Sequence, residues 1–300
     1  MMGPTGERRA RRTGDSDGDG TGARISCPYE GMMENLRVVL VGARNPLNIG
    51  AVARAMSNFG AMHLRVVAPY EKAWREAKSA VGAAELMARA EEFATVSEAI
   101  ADCTLVVGTT AVGNREIRQR LVSLVEAGPE LRQKLSATRV ALLFGSEKWG
   151  LSNENLSHCH WLVRIPTREE HRSMNLGQAV AVCLYELQKQ KIENGKAKVG
   201  KVITTLPGKA SGQAEGTEGP QRKRRQPEMA SMENVERITG TLLEALHLSG
   251  YIAPKAKRLA EEKLRRMILR FRFEAGDAEV FLGMVSKILW KLEREEKAEK

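Results

Sequence analysis

The sequence predicts an α/β fold built on a parallel sheet and followed by a small all-helical unit, on three observations. Short, nearly continuous apolar runs alternate with helical patterns between Leu36 and Lys191. A strand apolar at every position is buried on both faces, and strands that alternate with helices build a parallel sheet by crossovers. Beyond a Gly- and Lys-rich stretch, amphipathic patterns follow one another with no strand between them.

Five runs are expected as strands: LRVVLVG (36–42), HLRVVAP (63–69), TLVVGTT (104–110), RVALLFG (139–145) and HWLVRIP (160–166). Helical patterns lie between them over Ile49–Phe59, Glu71–Phe93, Ile117–Leu135 and Asn175–Lys191. In the last of these, Leu176, Ala179, Val180, Cys183, Leu184 and Leu187 keep the 3,4 spacing of one buried face. The C-terminal helices are expected over 233–247, 255–272 and 277–292, with Gly250, Pro254 and Gly276 as punctuation.

Residues 1–31 hold five basic and five acidic side chains, many glycines and few large apolar groups. Such a segment buries too little surface to offset its ordering entropy, so it is expected to be a disordered tail. Residues 193–230 read as a flexible linker. From 195 onward this linker carries eight basic against three acidic side chains, including the run Arg222–Arg225. Much of the formal net charge of +10 therefore sits outside the predicted sheet. Eight Lys and Arg fall between Lys255 and Arg272, a candidate face for nucleic-acid phosphates.

Several function classes are excluded. No apolar run approaches the roughly 20 residues of a membrane helix, and the first residues lack the apolar stretch of a secretory signal. The four cysteines (Cys27, Cys103, Cys159 and Cys183) form no CxxC pair, which suits reduced thiols in the cytoplasm. Gly145–Gly150 has phosphate-loop spacing, but Leu151 stands where the Lys belongs. His158-Cys159-His160 sits at the start of a strand with no further ligand nearby, so no metal site is expected.

Three polar, Gly-rich loops remain, each at the C-terminal end of a predicted strand, where open α/β sheets bind ligands. In GARNPLNIGAVARA (42–55), Asn48 is the expected cap of a helix that begins near Ile49. On that helix Ile49, Val52, Ala53, Met56 and Phe59 form the core face. Arg54 points about 140° away from Ile49 at 100° per residue. A solvated arginine is the ordinary fate of such a residue. In FGSEKWGLSNENL (144–156), Glu147 lies between two glycines, placed either to brace the loop or to meet a ligand. In IPTREEHRSMNLGQA (165–179), Ser173 or Asn175 caps the following helix. Capping explains one such residue, not a polar cluster at three strand ends. Thr109 and Thr110, after the 104–110 run, make a fourth small polar loop.

The stretches NPLNIGAVARAMSNFG (45–60), LLFGSEKWGLSNENL (142–156) and IPTREEHRSMNLGQAVAVCLYEL (165–187) together resemble the SpoU-type branch of the SPOUT RNA methyltransferases. VERITGTLLEALHLSGYI (235–252) and KLRRMILRFR (263–272) are similar to the helical extension of the TrmJ-type subfamily. The resemblance implies a SPOUT domain over 32–192 whose C-terminal segment forms a deep trefoil knot, and a helical domain over 231–300. It implies S-adenosylmethionine as cofactor, a homodimer with the active site at the subunit interface, and tRNA as substrate. The expected reaction is methylation of a ribose 2′-hydroxyl, at nucleotide 32 of the anticodon loop.

By the same resemblance the catalytic set is Arg54, Asn48, Glu147, Ser173 and Asn175. Cofactor contacts fall on Thr109, Thr110, Gly145, Glu147, Gly150, Ile165, Ser173, Met174 and Leu176. Guanidinium keeps its proton in proteins, so Arg54 is expected to orient the nucleophile and bind phosphate rather than act as base. A sulfonium loses its charge on methyl transfer, so no metal is required. Ribosomal RNA as substrate, or an RNA-binding protein without catalysis, stands as the alternative.

Overall fold

The computed structural model describes residues 30–70, 72–111, 117–194 and 228–299. Most of the expected tail and linker, Cys27 and the Arg222–Arg225 run lie outside these residues. Seven strands form one sheet: β1 (Leu36–Val41), β2 (His63–Val67), β3 (Glu91–Phe93), β4 (Leu105–Thr109), β5 (Leu121–Ser123), β6 (Val140–Phe144) and β7 (Trp161–Arg164). Their order is β3-β2-β1-β6-β4-β7-β5, and every neighbouring pair is parallel.

The five apolar runs are the five longer strands. The two edge strands were not expected, and each replaces part of a predicted helix. Over 71–93 the chain instead forms a short 3₁₀ turn at Lys72–Glu76, a helix α3 (Ala84–Arg89) and β3. Over 117–135, β5 precedes a helix α5 (Leu124–Leu135). An edge strand of three residues leaves Glu91 and Glu92 exposed, so it carries no apolar run for sequence reading to find.

The remaining helices are α1 (Glu30–Met33), α2 (Pro46–Asn58), α4 (Val96–Ile100), α6 (Asn153–Ser157), α7 (Leu176–Asn194), α8 (Met232–Leu248), α9 (Lys257–Phe271) and α10 (Ala275–Glu299). Successive strand residues point to opposite sheet faces. Leu36, Val38 and Leu40 therefore pack with residues of α2, α5 and α7, while Val39 and Val41 join a second apolar cluster. That second cluster includes Met232, Val235 and Ile238 of α8, Ile268 and Leu269 of α9, and Ala278 of α10. The C-terminal helices thus share one core with the sheet. Backbone hydrogen bonds from Met232 N to Cys103 O (2.8 Å) and Glu233 N to Ala101 O (3.0 Å) fix the start of α8 against it.

At the N-terminal edge of the sheet, Asp102 meets three arginines. Arg65 reaches both of its carboxylate oxygens, and Arg37 and Arg139 stand 3.6 Å away. Desolvation pushes the Asp102 carboxyl up, but the Arg65 hydrogen bonds and charge outweigh it and bring it down to about 2. A carboxyl lowered on folding stabilises the fold above its unfolded value and loses that contribution as pH falls through the folded value. Acid titration of an Asp102→Asn variant is expected to be flatter than wild type between pH 4 and about 2. Solvent screening limits the difference to about 1 kcal/mol. Identical acid-unfolding curves would remove Asp102 from this role.

Candidate active site

Helix α2 begins earlier than the sequence suggests. Pro46 occupies its first turn, with φ preset and no N–H to leave unpaired. Asn45, not Asn48, is the cap: its Oδ1 accepts from Leu47 N at 2.9 Å. Asn48 therefore lies in the first turn of the helix, with its side chain released from capping.

What Asn48 does instead links three loops. Its Nδ2 donates to Glu147 Oε1 at 2.8 Å, and its Oδ1 accepts from Asn175 Nδ2 at 3.0 Å. Asn175 is the cap of α7, its Oδ1 accepting from Gly177 N (3.0 Å) and Gln178 N (3.4 Å). Glu147 also accepts from Arg44 N (3.0 Å) and Asn45 N (3.3 Å). The loops after β1, β6 and β7 are thus joined by one chain of side-chain hydrogen bonds. Partial burial pushes the Glu147 carboxyl up, while hydrogen bonds from Asn48 and from loop backbone outweigh it and hold it below the usual carboxylate value. It is an anion at neutral pH, as an acceptor of three N–H groups must be.

Beside this chain lies a cavity of about 310 Å³. All nine residues expected at the cofactor line it: Thr109, Thr110, Gly145, Glu147, Gly150, Ile165, Ser173, Met174 and Leu176. Phe144, Leu151 and Leu156 add apolar wall, and Lys148, Trp149 and Arg172 add polar and aromatic rim. Sequence reading missed the rim residues because an exposed Lys, Trp or Arg in a loop carries no periodic signal. The hairpin 145–150 owes its shape to its glycines. A Cβ on Gly145 would fall on backbone atoms of Gly150 and Leu151, and Gly150 holds φ +66°, a left-handed value. Gly150 N closes the turn on Ser146 O at 2.8 Å.

Thr109 is partly committed to the scaffold, its Oγ1 donating to Leu143 O at 2.9 Å. Residues 112–116 of its loop lie outside the described ones. Arg54 stands on the exposed face of α2, and among the described residues no hydrogen bond ties it to Asn48, Glu147 or Asn175. The structure therefore brings together three of the five catalytic candidates and sets Ser173 in the cavity wall. Arg54 is left facing outward.

The His158-Cys159-His160 triplet is structural. His158 Nδ1 meets Glu236 Oε1 at 3.0 Å, and His160 Nδ1 accepts from Val106 N at 3.1 Å. Cys159 is buried in the second apolar cluster. Among the described residues no group of three His, Cys, Asp or Glu side chains is placed to hold a metal ion. Nor is any described helix long and apolar enough to cross a membrane.

A parallel sheet with a ligand-sized cavity at its C-terminal edge, closed by three joined loops, places the molecule among the open α/β proteins that bind a ligand at that edge. Residues 35–185 match the model of the SpoU rRNA Methylase family, and the chain belongs to that family. Among individual relatives it is similar to the tRNA (cytidine/uridine-2'-O-)-methyltransferase TrmJ of Escherichia coli strain K12. The two are 33% identical over 261 residues, covering 86% of this chain and 96% of the relative. The TrmJ of Pectobacterium atrosepticum is 32% identical over 258 residues, covering 86% and 98%. The crystal structure of TrmJ from Z. mobilis ZM4 superposes with a TM-score of 0.67 at 25% identity, covering 84% of this chain and 98% of that one.

Proposed function

We propose that the chain transfers a methyl group to the ribose 2′-hydroxyl of tRNA, at nucleotide 32 of the anticodon loop, with S-adenosylmethionine as donor. The observation that carries this reading is the Asn48–Glu147–Asn175 chain, which holds three loops around one cavity. The names of the TrmJ relatives support the tRNA and 2′-hydroxyl parts of it.

The cavity residues fit the donor. A volume of about 310 Å³ lies at the lower end of the range for small-molecule sites, roughly 300–1,000 Å³. Apolar Phe144, Leu151, Ile165 and Leu176 suit a nucleobase, and the hydroxyls of Thr109 and Ser173 with the open backbone of Gly145–Gly150 suit its polar groups. The bound donor supplies an electrophilic sulfonium methyl, so the reading needs no metal. Glu147, held as an anion, fixes the Asn48 amide and the α2 start against the cavity rim.

Arg54 binds RNA phosphate and orients the attacking hydroxyl. Its outward position supports a homodimer in which each cavity is completed by the Arg54 of a second copy. Exposed Leu47 on α2, with Val182 and Tyr185 on the adjoining α7, supports the same dimer. The segment 165–176 is read as the threaded part of a trefoil knot. Support comes from β7 lying inside the sheet and from α7 packing so close to α2 that Gly177 sits against Ala51. The proposed units are 32–192 for catalysis and 231–300 for RNA, in a cytoplasmic protein.

The basic face of the helical unit is narrower than its sequence suggests. Of the eight cations between Lys255 and Arg272, Lys257, Arg265 and Arg266 are engaged by Glu244, Glu236, Glu261 and Glu262. Lys255, Arg258, Lys263, Arg270 and Arg272 are exposed and serve phosphate.

Mass-spectrometric mapping of 2′-O-methyl nucleotides in total RNA from a deletion strain tests the reading. Loss at nucleotide 32 of tRNA is the expected result. Loss of a ribosomal site with nucleotide 32 intact would overturn the substrate assignment.

A further inference from the structure

Two exposed aromatic rings, each with a cation over it, lie on segments tied to the Glu147 anchor. In one pair Lys148 Nζ stands 4.8 Å from the ring centre of Trp149, which is 63% exposed on the cavity rim. In the other, Arg44 Cζ stands 4.5 Å from the ring centre of Tyr70, which is 65% exposed. Both pairs are pinned to the same point. Arg44 N donates to Glu147 itself, Tyr70 N donates to Ala43 O at 3.1 Å, and Trp149 lies two residues beyond Glu147. Neither ring belongs to the core, and burial of an indole or phenol is the ordinary way to place one.

We infer that Trp149 and Tyr70 are stacking platforms for two unpaired nucleobases beside the methylated nucleotide, with Lys148 and Arg44 neutralising the phosphates between them. The inference rests on the reading of the chain as an RNA methylase, and adds how it selects single-stranded RNA. A ribose inside a duplex presents its hydroxyl in a shallow groove, whereas a nucleotide in a loop can be splayed out and its bases stacked on aromatic side chains. A stack on a ring is tolerant of base identity, and a cation over that ring strengthens it while contacting the backbone. Two such platforms on segments tied to one anchor require two bases that are free of pairing. They favour a loop over a stem without reading its sequence.

The test uses the full-length protein and a 17-nucleotide-scale anticodon stem-loop RNA, with affinity and intrinsic tryptophan fluorescence as readouts. Trp74 and Trp161 are buried and the exposed Trp290 is common to both proteins, so the quench that differs between wild type and Trp149→Phe isolates the Trp149 ring. Trp149→Phe is expected to lose that quench and keep RNA affinity within about threefold, because a phenyl ring still stacks. Trp149→Ala and Tyr70→Ala are each expected to weaken RNA binding about tenfold, the scale of one lost base stack. Unchanged affinity in both alanine variants would overturn the inference. So would a loss of S-adenosylmethionine affinity in Trp149→Ala as large as its loss of RNA affinity, or a shift of either variant to monomer. A wild-type chain that fails to bind the stem-loop refutes the tRNA reading instead. A short unstructured RNA of mixed sequence then decides the stacking alone, by the presence or absence of the Trp149 quench.

Discussion

Arg54→Ala is expected to lower methyl transfer to tRNA by roughly a hundredfold or more, the scale of a lost positioning group. The same variant should unfold at the wild-type temperature. The two halves of this expectation have one structural source. Arg54 is exposed on α2, whose buried face consists of Ile49, Gly50, Val52, Ala53, Ala55 and Met56. Removing it opens no cavity, and alanine is the best helix former. A positioning role predicts a further asymmetry. Arg54→Lys keeps the charge but not the planar fork, so it should retain RNA affinity better than turnover. Single-turnover transfer of a labelled methyl group, with RNA and donor both saturating, separates the chemical step from binding. Near-normal turnover in Arg54→Ala would end its assignment.

Arg265→Ala is expected to produce the largest loss of stability among single changes in the C-terminal helices. Its guanidinium is buried and fully engaged, with Nε donating to Glu236 Oε1 (2.8 Å), one terminal nitrogen to Ser157 Oγ (2.9 Å) and the other to Glu261 Oε1 (2.7 Å). Glu236 is itself largely buried and also meets His158. Burial pushes the Glu236 carboxyl up, but the His158 and Arg265 contacts hold it below its usual value. Without Arg265 a buried carboxylate loses its principal countercharge, a change that costs about 3–5 kcal/mol. In a protein of this size that corresponds to a drop of roughly 10 °C in Tm. Pairing the change with Glu236→Leu should recover most of the loss, since two apolar groups in place of a buried ion pair are often neutral. A shift below about 2 °C in the single variant would show the pair to be dispensable.

The central strands were legible because burial on both faces forces an apolar side chain at every position. The edge strands were not, since Glu91 and Glu92 answer to no such constraint. The loops were legible for a related reason. Polar residues at several strand ends have no packing role to explain them, so Asn48, Glu147, Ser173 and Asn175 stood out together. How they connect was beyond sequence reading. Sequence reading puts the cap at Asn48, whereas Asn45 takes it and the Asn48 side chain goes to Glu147, 99 residues away. The same limit applies to Arg265. Among eight cations in one stretch it looks like its neighbours, and only the packing of α9 against α6 and α8 buries it.

The Asn48–Glu147–Asn175 chain has a consequence for the order of synthesis. Its partners are 99 and 127 residues apart, so the site has no local precursor. The first loop leaves the ribosome early and waits for Glu147, and then for Asn175, before it is fully anchored. Closing contacts of that span is slow, because the loop entropy is lost before the contacts form. A nascent chain halted before residue 175 would hold all seven strands and lack the side chain that ties the third loop to the first. Ligand binding during translation is therefore a report that the chain has passed its last strand and reached α7, and a molecule held there stabilises only the finished fold.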